Sequence, residues 1–187
     1  MLGQPGELRD TRTEHPEPVK PLLFGESPNF NAPGGGRPLE SLAPRLVEFA
    51  GLITAGRDPY EVLLRHFRVD NAWDQPRWSR PLARERVLGI INVVRPKVVV
   101  CLGRRAGNCL DINNYTWNAW ETRKLPPEMG THRFLVSNIP HPSGKCRVYN
   151  DLDERKRAHF TLRKALEAAE RLEQGESMRS VLTRLRV

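Results

Sequence analysis

The stretch Pro140-His141-Pro142-Ser143-Gly144-Lys145 places an imidazole between two residues that restrict the backbone. An imidazole held in one orientation can donate a hydrogen bond to an oxyanion as it develops. Ser143 and the amides of Gly144 and Lys145 can bind a phosphate, with the side chains of Lys145 and Arg147 adding positive charge. A second polar loop, Gly25-Glu26-Ser27-Pro28-Asn29, offers a carboxylate and a hydroxyl between a glycine that permits close approach and a proline that fixes the turn. On residue types alone, both loops also read as surface turns, with Glu26 solvated, Ser27 capping a backbone group and His141 exposed. Asn71 carries a paired donor and acceptor that suit the edge of a nucleobase, and it equally suits the capping of a turn. Phe30 or Trp73 can stack on a base or pack against a sheet edge.

The elements around these residues place them on one edge. Pro21-Leu22-Leu23-Phe24 before the first loop and Arg133-Phe134-Leu135-Val136-Ser137 before the second read as strands. Lys97–Gly103 is a continuous β-branched run bounded by Pro96, as expected of a buried parallel strand. A short strand is expected at Leu64–Asp70, ending at Asn71. An amphipathic helix is expected from Ser41 to near Gly56, burying Leu42, Leu46, Phe49, Ala50 and Ile53. Residues 82–94 read as a helix burying Leu82, Val87, Leu88, Ile91 and Val94, and Arg104–Leu110 starts another. Residues 152–174 form a long helix with Leu162, Ala165, Leu166, Ala169 and Leu172 inward, and 111–132 is less regular. Strands alternating with helices predict a three-layer α/β/α sandwich around a four-stranded parallel sheet. In such a sheet, loops leaving the carboxyl ends of strands form the ligand crevice. The expected organisation is a loose N-terminal arm over 1–20, an α/β domain over 21–174, and a basic tail over 175–187 that has the composition to form a helix.

Composition narrows the classes. A chain of 187 residues supports one domain with a sizeable core. No apolar run approaches the roughly 20 residues that span a bilayer, and Met1–Leu8 does not read as a secretory signal. Three cysteines without CxxC spacing argue against a disulfide framework or structural zinc and fit a reducing, cytoplasmic setting; no metal and no cofactor are expected. Thirty Lys+Arg against 22 Asp+Glu give a formal charge of +8, which favours a polyanionic partner. Arginine supplies most of these cations, and its fork matches phosphate geometry.

Taken together, these residues resemble the uracil-DNA glycosylase superfamily. Its G-x-x-P loop after the first strand matches Gly25-Glu26-Ser27-Pro28, and its H-P-S loop after the last strand matches His141-Pro142-Ser143. An Asn after the second strand matches Asn71, and a "P-K-V-V-V-x-L-G-R-x-A" run matches Pro96–Ala106. The four motifs occur in order over roughly residues 20–165, and the Gly-Glu-x-Pro form is most similar to family 4 and related bacterial branches. The resemblance implies a monomer that binds double- or single-stranded DNA and flips a nucleotide into a pocket at the carboxyl edge. It implies that His141 stabilises charge on the base O2 and that Asn71 recognises the flipped pyrimidine, with Phe30 and Asn29 near the base. Glu26 and Ser27 would lie by the sugar and the attacking water, and Ser143, Gly144, Lys145 and Arg147 would hold the strand.

Three departures bear on the substrate. Several branches carry an Asp or Asn where Ser27 stands, and a serine is a poor general base, which leaves that role to Glu26 or leaves hydrolysis to leaving-group stabilisation. The family 4 branch carries four cysteines for an iron–sulfur cluster, a pattern that the three here do not match. Asn29 replaces the tyrosine with which the best-known branch excludes 5-substituted pyrimidines, and the small residues of Ala32–Gly36 follow it. The resemblance therefore implies excision of uracil or of a 5-modified pyrimidine, such as the hydroxymethylated or glycosylated bases of some phage genomes. That would serve DNA repair or antiphage defence. The alternative is a non-catalytic relative that traps uracil-containing or abasic DNA.

Overall fold

A computed structural model describes residues 19–26, 37–75, 77–112, 117–143 and 146–186. Within these, the fold is α/β, with a five-stranded, mostly parallel sheet and six α-helices. In chain order the elements are β1 (Leu22–Gly25), α1 (Ala43–Phe49), α2 (Pro59–His66), β2 (Arg68–Asn71), α3 (Arg80–Val94) and β3 (Val98–Leu102). There follow α4 (Arg104–Asn108), β4 (Glu121–Lys124), β5 (Arg133–Ile139), α5 (Leu152–Glu173) and α6 (Met178–Leu185).

The strand order is β2-β1-β3-β5-β4. The first four strands in this order run parallel, with Gly25 opposite Asn71, Phe24 opposite Cys101, and Leu102 opposite Ile139. β4 is the correction to the expected four-stranded parallel sheet: it lies antiparallel on the edge, with Glu121 opposite Val136 and Lys124 opposite Arg133. Only a short connection, closed by the Leu125 N–H donating to the His132 carbonyl at 3.0 Å, separates β4 from β5, and a link that short permits antiparallel pairing alone.

Alternating residues of the parallel strands feed two cores. Leu23, Val98, Val100, Leu102, Leu135 and Ile139 pack with residues of α1, α2, α5 and α6. Leu22, Phe24, Val99, Cys101, Phe134 and Val136 pack with α3 and α4. A strand buried on both faces has no polar side to alternate with, which is why β3 reads as an unbroken apolar run.

Several expected elements are displaced, each for a local reason. The first helix stops at Phe49 because Gly51, at φ 66, takes the left-handed turn beyond it; the Leu52 N–H then bonds the Val47 carbonyl and the Gly51 N–H that of Glu48. Ile53 is consequently outside the helix and 86 % exposed. Leu64 belongs to α2 and not to a strand, since the Asp58 side chain caps the helix at the Tyr60 N–H and Pro59 presets its first turn. β2 therefore begins at Arg68. α3 starts at Arg80, which turns Ala83 into the core and leaves Leu82 exposed. α5 buries Leu162, Ala165, Ala169 and Leu172, and Leu166 packs half-buried beside them. The basic C-terminal segment does carry a helix, α6, and its Val181 and Leu185 enter the core. No helix among the described residues is long and apolar enough to cross a membrane.

Candidate active site

β1 connects onward to β2 on one side of it and is flanked by β3 on the other. A reversal of this kind opens a crevice beyond the carboxyl ends of the strands. Asn71 is the last residue of β2, Glu26 follows β1, Gly103 follows β3, and Pro140-His141 follow β5. All four strand ends with candidate chemistry thus lie on one edge.

Gly103 is where two of them meet. Its φ is 94, and a Cβ there would lie 2.6 Å from Glu26 Oε1, 3.1 Å from His141 Cβ and 3.3 Å from His141 Cδ2. The carboxylate and the imidazole, contributed by loops near opposite ends of the chain, therefore pack over the same bare backbone. Only glycine combines that conformation with that clearance.

Both loops are held from below. The Glu26 carbonyl accepts from the Trp73 N–H at 3.0 Å, and the Gly25 carbonyl from the Ala72 N–H at 2.8 Å. Glu26 Oε1 accepts from the Arg105 N–H at 3.4 Å. On the other side, Tyr149 donates its hydroxyl to the Pro140 carbonyl, and Arg45 Nη1 donates to the Pro142 carbonyl at 3.1 Å. His141 is thus clamped through both flanking prolines. Burial lowers the His141 pKa from its usual 6.5, and the nearby Glu26 carboxylate opposes that shift. The ring is neutral at neutral pH and presents one N–H donor.

Asn71 is 2 % exposed, and neither its side-chain oxygen nor its nitrogen has a hydrogen-bond partner among the described residues. Leaving such groups unsatisfied costs about 1–3 kcal/mol each, so the amide is available to pair with a bound ligand or an ordered water. The side chain lies against Gly25, where a Cβ would come within 2.6 Å of Asn71 Oδ1 and would also strike Leu39. The backbone is fixed as well. The Asn71 N–H donates to Asp70 Oδ1 at 2.8 Å, and the Asn71 carbonyl accepts from Arg86 Nε at 3.1 Å. Arg86 also pairs with Asp70 at 3.0 Å and Asp74 at 3.2 Å.

The other expected site residues divide. The half-buried Ser143 accepts the Cys146 N–H on its carbonyl at 3.1 Å, and Arg147 is exposed at the start of a short 3-10 turn. Trp73 is buried with Nε1 donating to the Arg77 carbonyl at 2.6 Å, so it packs within the protein and does not face a ligand. Ser27, Asn29, Phe30, Gly144 and Lys145 lie outside the described residues. Gly103, Arg86 and the Arg105 amide escaped the sequence reading. Gly103 alone left a signal there, as the glycine closing the β-branched run.

Among the described residues no group of three or more His, Cys, Asp or Glu could hold a metal ion. Cys101, Cys109 and Cys146 are free thiols, and burial pushes the Cys101 thiol up and that of Cys109 up to about 11. No protein-family model matches the chain, and a search of curated proteins finds no match either.

Proposed function

We propose that the protein is a DNA glycosylase that flips out uracil or a 5-modified pyrimidine and hydrolyses its N-glycosidic bond. The observation that carries this reading is the edge itself: a neutral, clamped His141 meets Glu26 over Gly103, while the strand next to β1 ends in a buried Asn71 amide without partners. The helices on both faces of the sheet suit the three-layer α/β/α sandwich that the glycosylase resemblance implies.

Each group has a matching task. The Asn71 amide offers one donor and one acceptor, the complement of a pyrimidine's adjacent carbonyl and ring N–H. When the bond from C1′ to N1 breaks, its electron pair stays with the base and charge collects on O2. The His141 N–H stabilises that charge. A neutral donor does this without first giving its proton away. The sugar gains oxocarbenium character, which the Glu26 carboxylate stabilises; as water adds to C1′ its proton passes to that carboxylate and from there, through solvent, to the base anion, which leaves neutral. The products are the free base and an abasic site. With Ser27 at the position where other branches carry Asp or Asn, Glu26 is the described group able to orient that water. Arg104 and Arg147 are exposed near this edge and have no ion pair among the described residues, so they are free to meet phosphates.

The test incubates the purified protein with oligonucleotides carrying uracil, hydroxymethyluracil, hydroxymethylcytosine or its glucosylated form, followed by alkali to cut abasic sites. Cleavage at one or more of these bases is expected, and the pattern assigns the substrate. His141→Ala should lose excision by far more than it loses DNA binding. Binding without cleavage on every substrate would overturn the enzyme in favour of a DNA-trapping protein.

A further inference from the structure

We infer that Arg105, held against Trp78, is a preformed anchor for one backbone phosphate of the bound nucleic acid. The inference rests on the reading of the carboxyl edge as a DNA-binding site. It concerns a residue outside the His141 loop, at a position that the L-G-R-x-A pattern leaves open.

Three observations place it. Arg105 sits in the first turn after Gly103, and its own backbone N–H reaches Glu26 Oε1 at 3.4 Å, which fixes it at the mouth of the crevice. Its side chain is exposed, with the guanidinium carbon 5.5 Å from the centre of the Trp78 ring. It has no carboxylate partner among the described residues, whereas its neighbours Arg80 and Arg84 pair with Asp111 and Arg86 pairs with Asp70 and Asp74.

The physical consequence is a charge that is both ordered and unspent. Contact between the guanidinium and the indole stabilises the cation and restricts its rotamers while leaving the N–H fork open at the rim. An arginine neutralised by a carboxylate would have to surrender that partner before binding a phosphate. Arg105 does not. Trp78 is itself half-buried against the α3–α4 core, so the platform is anchored in the fold on the same side of the sheet as α4. One phosphate of the strand entering the crevice would then be gripped beside the Glu26 wall of the site.

The test measures DNA affinity of the full chain as a function of salt, using an oligonucleotide with a single uracil and one with an abasic site. Arg105→Ala should weaken binding by roughly five- to tenfold at moderate salt and lower the slope of log K against log[salt] by about one phosphate's worth, ~0.9 for duplex and ~0.7 for single strand. Arg105→Lys should restore the slope but only part of the affinity, because charge returns without the fork. Trp78→Leu, checked for an intact melting transition, should weaken binding while keeping the slope, since it removes the platform and not the charge. Arg133→Ala supplies the comparison: it removes an exposed cation at the amino end of β5, away from the crevice, and should leave the slope unchanged. An unchanged slope in Arg105→Ala, or an equal loss in Arg133→Ala, would overturn the anchor while leaving the glycosylase reading intact. A wild-type protein that binds neither oligonucleotide would overturn both.

Discussion

Replacing Asn71 by leucine should make the protein more stable and useless for excision. The two side chains have the same branching, so the change removes two polar atoms with little change of shape. Each of those atoms is buried without a partner, and relieving both is worth about 2–6 kcal/mol at about 1–3 kcal/mol per group. The methyl groups of leucine are bulkier than the amide and meet Gly25 and Leu39, an overpacking that takes back about 1–3 kcal/mol. The net gain is on the order of 1–3 kcal/mol, or a rise of roughly 2–12 °C in Tm for a chain of this size. Excision should fall by roughly 10²–10³ in kcat/KM, the worth of two lost hydrogen bonds to the base. Thermal melts followed by circular dichroism give the first quantity, and single-turnover cleavage of a uracil-containing oligonucleotide gives the second. A leucine variant that melts below the wild type would refute the reasoning, since it would mean that the free amide is already satisfied by ordered water.

Gly103→Ala should act in the opposite sense on stability. A Cβ at φ 94 adds backbone strain and meets His141 Cβ at 3.1 Å, for a loss of about 1–3 kcal/mol. Excision should fall more than DNA affinity does, and an unaltered cleavage rate would show that Glu26 and His141 do not work from above this residue. For His141, burial puts the native pKa below the 6.5 of an ordinary histidine, so as pH falls the unfolded chain takes up the proton first. Its contribution to stability is therefore complete above pH 6.5 and declines below it. NMR titration of the imidazole should give a midpoint under 6.5 in the wild type and a lower one in Glu26→Gln, which loses the carboxylate that raises it; a rise in the variant would contradict the contact.

How much of this was legible beforehand depended on where apolar residues sit. β3 was plain because a strand covered on both faces has to be apolar throughout. β4 was invisible for the converse reason: Glu121-Thr122-Arg123-Lys124 is a polar edge strand, largely half-exposed, and carries no period to detect. α2 did leave a mark in Asp58-Pro59, a capping pair, but the apolar residues after it fit a strand equally well. The placement of Glu26, Asn71 and His141 on one edge followed from topology, since all three come just after or at the ends of parallel strands. What sequence could not supply was their spacing. That Glu26 and His141 share Gly103, that the Asn71 amide lacks partners, and that Trp78 supports Arg105 are facts of packing between segments far apart in the chain.

The meeting over Gly103 also dictates when the protein can begin to act. Glu26 emerges among the first residues of the described fold, while His141 comes only after β5, and the tyrosine that steadies its loop comes later still. A ribosome-bound chain, or any fragment, that stops before His141 holds one half of the pair without the other, and one that stops before Tyr149 lacks the hydroxyl that steadies the His141 loop. Whatever chemistry the pair performs is therefore withheld until β5 has joined the sheet. A chain divided in the segment between β4 and β5 would bring Glu26 and His141 together only on reassembly, so the activity proposed for the pair would depend on joining the two pieces.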